Sequence, residues 1–199
     1  YVPQDMPGLI SLTGGKDAFN TKLVSMFTLQ AKGADVDGNA SGFIGQYAHG
    51  NEPSHHVAYL YNYSSQPWKT QFYTHKIMTE LYDNTTAGLS GNEDCGQLTA
   101  WYVFSAMGFY PVNPASGLYL FGSPLLKHTT LNLANGKTFS INVTNAGKTY
   151  IQSVKLNGRP YTKTYIMHSD IEKGGILEFV MGDEPNKEWG IGKDDQPVK

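Results

Sequence analysis

Carboxylate and amide side chains gather at two places in this sequence, each set among glycines. GQYAHGNEPSHH occupies residues 45–56 and GNEDCGQ occupies residues 91–97. Glycine lets a backbone approach a ligand closely, and both stretches run directly into segments of helical pattern, whose N-termini favour carboxylates and anions. The donors are oxygens, with one cysteine in the whole chain, so a bound metal would be a hard cation such as calcium. One carboxylate beside another suits acid/base work on a polar substrate, and glycoside hydrolysis is one such chemistry. A structural reading stands beside the chemical one. Asn51 or Glu52 could cap the helix that Pro53 opens, and Asp94 could cap the next. His55 and His56 are adjacent and cannot share a helix face, so they read as one packed and one polar contact. His49, His75, His128 and His168 are isolated and default to structural or surface roles. Asp35-Val36-Asp37-Gly38-Asn39 lacks the spacing and closing Glu of an EF-hand.

The elements that must position these clusters change period partway along the chain. Phe19, Leu23, Met26 and Phe27 follow helical spacing, after Gly14-Gly15 as a break and Asp17 as a cap. Pro53 opens a segment with Val57, Leu60 and Tyr61, and Pro67 opens another in which Tyr73, Ile77 and Leu81 recur every fourth residue. Residues 97–107, QLTAWYVFSAM, are apolar nearly all round, which predicts a helix buried on most sides. Trp101, Tyr102, Phe104, Phe109 and Tyr110 could stack on sugars but read mostly as core. Buried helices need neighbours, so a larger helical assembly is expected around these. After Tyr110-Pro111 the period falls to two. Leu118-Tyr119-Leu120 is strand-like. Leu131 to Val143 around Asn135-Gly136 reads as a hairpin, and Val154 and Leu156 before Asn157-Gly158 as a second. A final strand is predicted over 176–181, before a polar tail. The expectation is an α+β chain, helical over 1–112 and a small antiparallel β unit over 113–199.

Composition narrows the class. Charged residues are 16% and the formal net charge is −2, with no basic stripe, which argues against nucleic acid or an anionic membrane as partner. No apolar run reaches the roughly 18 residues of a membrane span. The opening Tyr1-Val2-Pro3-Gln4-Asp5, with neither initiator Met nor signal pattern, reads as sequence from within a protein.

The motifs, in this order, resemble those of the family 92 glycoside hydrolases. The resemblance rests on VPQDMPGL at 2–9, the two clusters, AWYV at 100–103 and MGFYPV at 107–112. It implies an exo-acting bacterial α-mannosidase that inverts configuration and needs calcium. It also implies an N-terminal β-sandwich domain and an (α/α)6 barrel, of which residues 1 to about 112 would be the last helices. By motif, Asp94 corresponds to the general base. Asn51, Glu52 and Gln46 fall in the segment supplying calcium contacts. His55, His56 and Asn92 are expected against the sugar. Some members carry an aspartate at the position of Asn92, so Glu93 is expected to share the work of activating water. The family's acid, a glutamate, lies upstream of residue 1, so the chain alone is expected to be inactive. Mannose-containing glycans, α-1,2 linkage and a periplasmic or cell-surface location follow from the resemblance. The competing reading is a non-catalytic carbohydrate-binding or structural module, which the β unit alone could support. Under the enzyme reading Glu52 and Asp94 line one concave face; under the module reading they sit apart as caps.

Overall fold

The computed structural model describes residues 1–30 and 40–198; the Asp35–Asn39 stretch lies outside the described residues. Helices α1 (Met6–Leu12) and α2 (Lys16–Thr28) come first, α1 capped by the Asp5 carboxylate, which accepts from Gly8 N at 2.8 Å. At α2 the cap is Gly15, at φ 96°, and not Asp17, whose charge instead sits in the first turn. Phe19, Leu23 and Phe27 are buried on one face, as the spacing predicts. A two-stranded ribbon, β1 (Phe43–Ile44) and β2 (Tyr47–Ala48), leads to a 3-10 turn at Glu52–Ser54. The segment Pro53 introduces is a second 3-10 helix, Val57–Ser64. Its residues from Ala58 to Ser64 are all buried, so packing on every side replaces the one-sided burial that selects a regular amphipathic α-helix.

Helices α3 (Pro67–Glu80), with Pro at its start, and α4 (Gln97–Met107) complete the helical part. Helix α4 departs from expectation. Leu98, Trp101 and Ser105 are fully buried, whereas Val103 is 47% exposed and Ala100 is exposed too. Within this chain it packs on one side, and its outer side is apolar surface.

The remaining strands are β3 (Phe109–Tyr110), β4 (Leu118–Phe121), β5 (His128–Asn132), β6 (Thr138–Thr144), β7 (Tyr150–Leu156), β8 (Arg159–Pro160), β9 (Tyr165–Met167) and β10 (Gly175–Gly182), with a short α5 (His168–Ile171) before β10. Both expected hairpins form: β5 pairs antiparallel with β6 and β7 with β8, the latter through Asn157 and Gly158 at φ 52° and 76°. The sheet is nonetheless mixed and not purely antiparallel. Its order is β5-β6-β10-β7-β8, with β10 parallel to β6 and antiparallel to β7. Strand alternation specifies faces, not neighbours, so this insertion was invisible locally. A three-stranded sheet, β3-β4-β9, lies between the two cores: Leu118, Leu120 and Tyr165 pack with the helices, while Phe109, Phe121 and Ile166 pack with the larger sheet. The polar tail is anchored. Trp189 and Gln196 are buried, and Asp195 O accepts from Thr164 N at 2.8 Å.

Phe179 sits at the centre of the sheet core, 1% exposed and edge-on to Phe121 at 5.2 Å. Phe179→Ala should cost about 3–5 kcal/mol through lost burial and the cavity left behind, read as a lower denaturation midpoint. A cost below about 1 kcal/mol would mean the sheet core relaxes around the gap.

Candidate active site

The two polar clusters meet because glycines let their backbones touch. A Cβ at Gly91 would lie 2.7 Å from Gly50 O and 2.8 Å from Gly50 Cα, both unyielding backbone atoms. Ser41 Oγ donates to Ser90 O across the same seam, and His49 N and Gly50 N donate to Gly42 O and Ser41 O. The first loop is also pressed onto the end of α2. Gln46 N donates to Met26 O at 2.7 Å, and a Cβ at Gly45 would lie 2.6 Å from Phe27 O. Gly91→Ala should therefore push the loops apart, lowering stability by about 1–3 kcal/mol. Thermal unfolding checks this; a wild-type midpoint would show the seam is slack.

The second loop is held in an unusual backbone state. Glu93, Asp94 and Cys95 have φ of 53°, 40° and 60°, followed by Gly96 at 85°. Left-handed φ costs an L-residue roughly 1–2 kcal/mol each. What holds the turn is largely Glu93. Its carbonyl accepts from Gln97 N at 2.9 Å, and its carboxylate accepts from Thr99 Oγ1 at 2.7 Å and Thr99 N at 3.3 Å. Asp94 N donates to Asn92 O within the turn. Asp94 does not cap α4, whose cap is Gly96. Asn51 precedes the Glu52–Ser54 turn without a side-chain cap bond.

Released from capping, the Asp94 carboxyl reaches that of Glu52. Their hydrogen bond and then their mutual charge, with a smaller contribution from burial, raise the pKa of Asp94 above the usual aspartate range. Glu52 Oε1 is shut off from water and has no hydrogen-bond donor. An orphaned carboxylate oxygen beside a second carboxylate invites a proton or a cation. Among the described residues no group of three or more His, Cys, Asp or Glu converges. A hard cation here would complete its shell from amide, carbonyl, water or ligand oxygens.

Behind the carboxylates lies a buried imidazole chain. Tyr82 Oη donates to Leu98 O at 3.2 Å, so it accepts from His49 Nε2 at 2.6 Å, and His49 Nδ1 accepts from Tyr47 Oη at 2.8 Å. Burial, with a smaller contribution from the neighbouring His55, lowers the pKa of His49 to about 3, which keeps it neutral. His49 is thus structural, as its isolation in the sequence suggested. His49 O accepts from His55 Nε2 at 3.0 Å, and Trp101 Nε1 donates to His55 O at 3.0 Å. His55 Nδ1 faces Gln97 Nε2 at 3.1 Å, and the same nitrogen donates to Tyr110 Oη at 3.1 Å. His56 packs edge-on to Tyr1 at 5.1 Å, and burial lowers its pKa to about 4.

A cavity of about 560 Å³ opens over this network, lined by Glu52, His55, His56, Gln97 and Tyr110 among others. Gln46 and Asn51 line an adjoining cavity of about 550 Å³, which shares Tyr1, Pro53 and His56 with the first. The structure thus brings Glu52, His55 and His56 to one cavity with Asp94 against Glu52, sets Gln46 and Asn51 on the adjoining cavity, and leaves Asn92 exposed. The Glu93 carboxylate is taken up by Thr99. Gln97 was not singled out from sequence, and Tyr110 was named among aromatics that read mostly as core. Gln97 closes the second motif, three residues after Asp94, and that position was the available signal.

The glycosyl hydrolase family 92 catalytic domain matches over residues 1–183. An uncharacterized secreted glycosidase of Arthroderma benhamiae is 32% identical, the alignment covering 99% of this chain and 24% of that protein. A family GH92 α-mannosidase of Bacteroides thetaiotaomicron superimposes with TM-score 0.93 at 42% identity, over 99% of this chain and 26% of that one; its complex with mannoimidazole gives 0.94. An inverting GH92 mannosidase of the same organism gives 0.86 at 40% identity, over 98% of this chain and 28% of that one. The chain spans about a quarter of the length of these relatives. On this evidence it belongs to glycosyl hydrolase family 92.

Proposed function

We propose that this chain is the C-terminal segment of a calcium-dependent, inverting exo-α-mannosidase that removes terminal mannose from glycans, with Asp94 as general base. The observation that carries this reading is the meeting of the Asp94 carboxyl with that of Glu52, which itself lines the cavity, an arrangement that caps of separate helices would not require. It also weighs against a purely carbohydrate-binding or structural module. The mannosidase substrates of the relatives support the choice of sugar.

In an inverting reaction, Asp94 accepts a proton from a water whose oxygen bonds the anomeric carbon. The bond to the leaving oxygen breaks as an acid on the opposite face protonates that oxygen. No carboxyl of this chain is assigned that acid role; it falls to a residue outside the segment, so the segment alone is inactive. The charge of Glu52 strengthens Asp94 as a base by raising its proton affinity. Glu93 acts through position, its carboxylate pinning the strained turn to Thr99, with Asn92 exposed beside it. The donor set fits calcium. Glu52, whose Oε1 lacks a partner, would hold it with amide or carbonyl oxygens from Asn51 and Gln46. Bound there, calcium supplies positive charge that orients sugar hydroxyls and favours an oxocarbenium-like transition state. Substrates of this kind, α-1,2 linkage and a location outside the cytoplasm complete the proposal; no helix among the described residues is long and apolar enough to cross a membrane.

The test is mannose release from α-1,2-mannobiose by the full-length enzyme, with and without a chelator, following the anomer by NMR. Calcium-dependent release of β-mannose is expected. A folded enzyme inert on every α-mannoside would overturn the reading in favour of binding, and release of α-mannose would remove the inverting mechanism.

A further inference from the structure

One side chain on the cavity wall has its hydrogen-bond polarity dictated from behind. His49 O can only accept, so His55 Nε2 carries the proton. The ring is kept neutral by burial, which lowers its pKa. His55 Nδ1 is then a bare acceptor and requires a donor, which is Gln97 Nε2. The second N–H of that amide goes to Tyr110 Oη. Flipping the amide would set its oxygen against the Nδ1 lone pair, so the orientation is fixed. Gln97 Oε1 has no donor among the described residues and is not sealed from solvent. Gln97 shares its cavity with Glu52, while Tyr110 Oη, accepting from Gln97, keeps its own proton to donate.

We propose that Gln97 is a substrate-binding residue, its Oε1 accepting a hydrogen bond from one hydroxyl of the terminal sugar, with His55 as the positioning residue that sets the amide. The inference rests on the mannosidase reading and adds the side chain that reads one hydroxyl. A preoriented acceptor discriminates strongly, because an analogue lacking the hydroxyl leaves it unpaired.

The experiment compares kcat/KM of the full-length enzyme on aryl α-mannoside and its four monodeoxy analogues, for wild type, Gln97→Met and Gln97→Glu. In wild type, removal of the contacted hydroxyl should cost about tenfold. In Gln97→Met that penalty should vanish for this one analogue while the others keep theirs. Gln97→Glu keeps one oxygen toward the cavity while the other draws a proton onto His55 Nδ1, and should retain the penalty. Identical penalty patterns in wild type and a folded Gln97→Met overturn the proposal while leaving the mannosidase reading intact. If Gln97→Met does not fold, Gln97→Glu decides, and loss of the penalty there overturns it. A wild type inert on the parent mannoside overturns both.

Discussion

Asp94→Asn in the full-length enzyme should lower kcat by about 10²–10⁴-fold, the range that a positioned general base contributes. Asparagine keeps the shape of the side chain and cannot take the proton of the attacking water. Stability should not fall. Asp94 caps no helix, and the substitution removes the charge repulsion with Glu52. Steady-state kinetics on an α-mannoside beside a thermal melt separate the two effects. Undiminished kcat would remove Asp94 as the base; a kcat loss accompanied by a large fall in Tm would trace the defect to folding instead. Wild type adds a pH signature. Before calcium is added, the Asp94 carboxyl followed by NMR should take up its proton at a pH above the usual aspartate range of about 4, because Glu52 raises its pKa.

Glu52→Gln should have the second-largest effect, with two separable readouts. It removes the charge of Glu52, which helps raise the Asp94 pKa, so in the calcium-free protein the Asp94 carboxyl should titrate at lower pH. It also deletes the carboxylate whose Oε1 lacks a partner, so calcium affinity should weaken by at least about tenfold. Calcium titration of activity and an NMR titration of the Asp94 carboxyl in the calcium-free protein test these independently. An unmoved titration would mean that the two carboxyls are uncoupled. Unchanged calcium affinity would place the cation elsewhere.

Much of the fold was legible because local patterns carried it. Phe19, Leu23 and Phe27 sit on the buried face of α2, Pro67 starts α3, and Asn157-Gly158 closes β7 onto β8. What misled was context. The Val57–Ser64 segment is a 3-10 helix because it is buried all round, and β10 enters between β6 and β7 through a long-range pairing that period-two alternation cannot encode. The site was legible as two motifs, with Glu52 and Asp94 both named. Glu93 was expected near the chemistry, and its carboxylate is instead committed to Thr99. Gln97 and Tyr110 gave little warning, since an amide at a helix start and a tyrosine among aromatics each have ordinary structural explanations.

By itself the sequence determined residue chemistry and local conformation: oxygen donors among glycines, helix starts, hairpin turns, and a change of period near residue 112. These depend on neighbours a few positions away. Tertiary structure alone decided which cap sites were vacated and which side chains met. Gly50 and Gly91 are far apart in sequence, and their close backbone approach, with the Ser41–Ser90 hydrogen bond beside it, joins the loops that carry Glu52 and Asp94. The perturbed carboxyl, the neutral histidines and the fixed Gln97 amide all follow from burial and from that contact, neither of which either motif holds on its own.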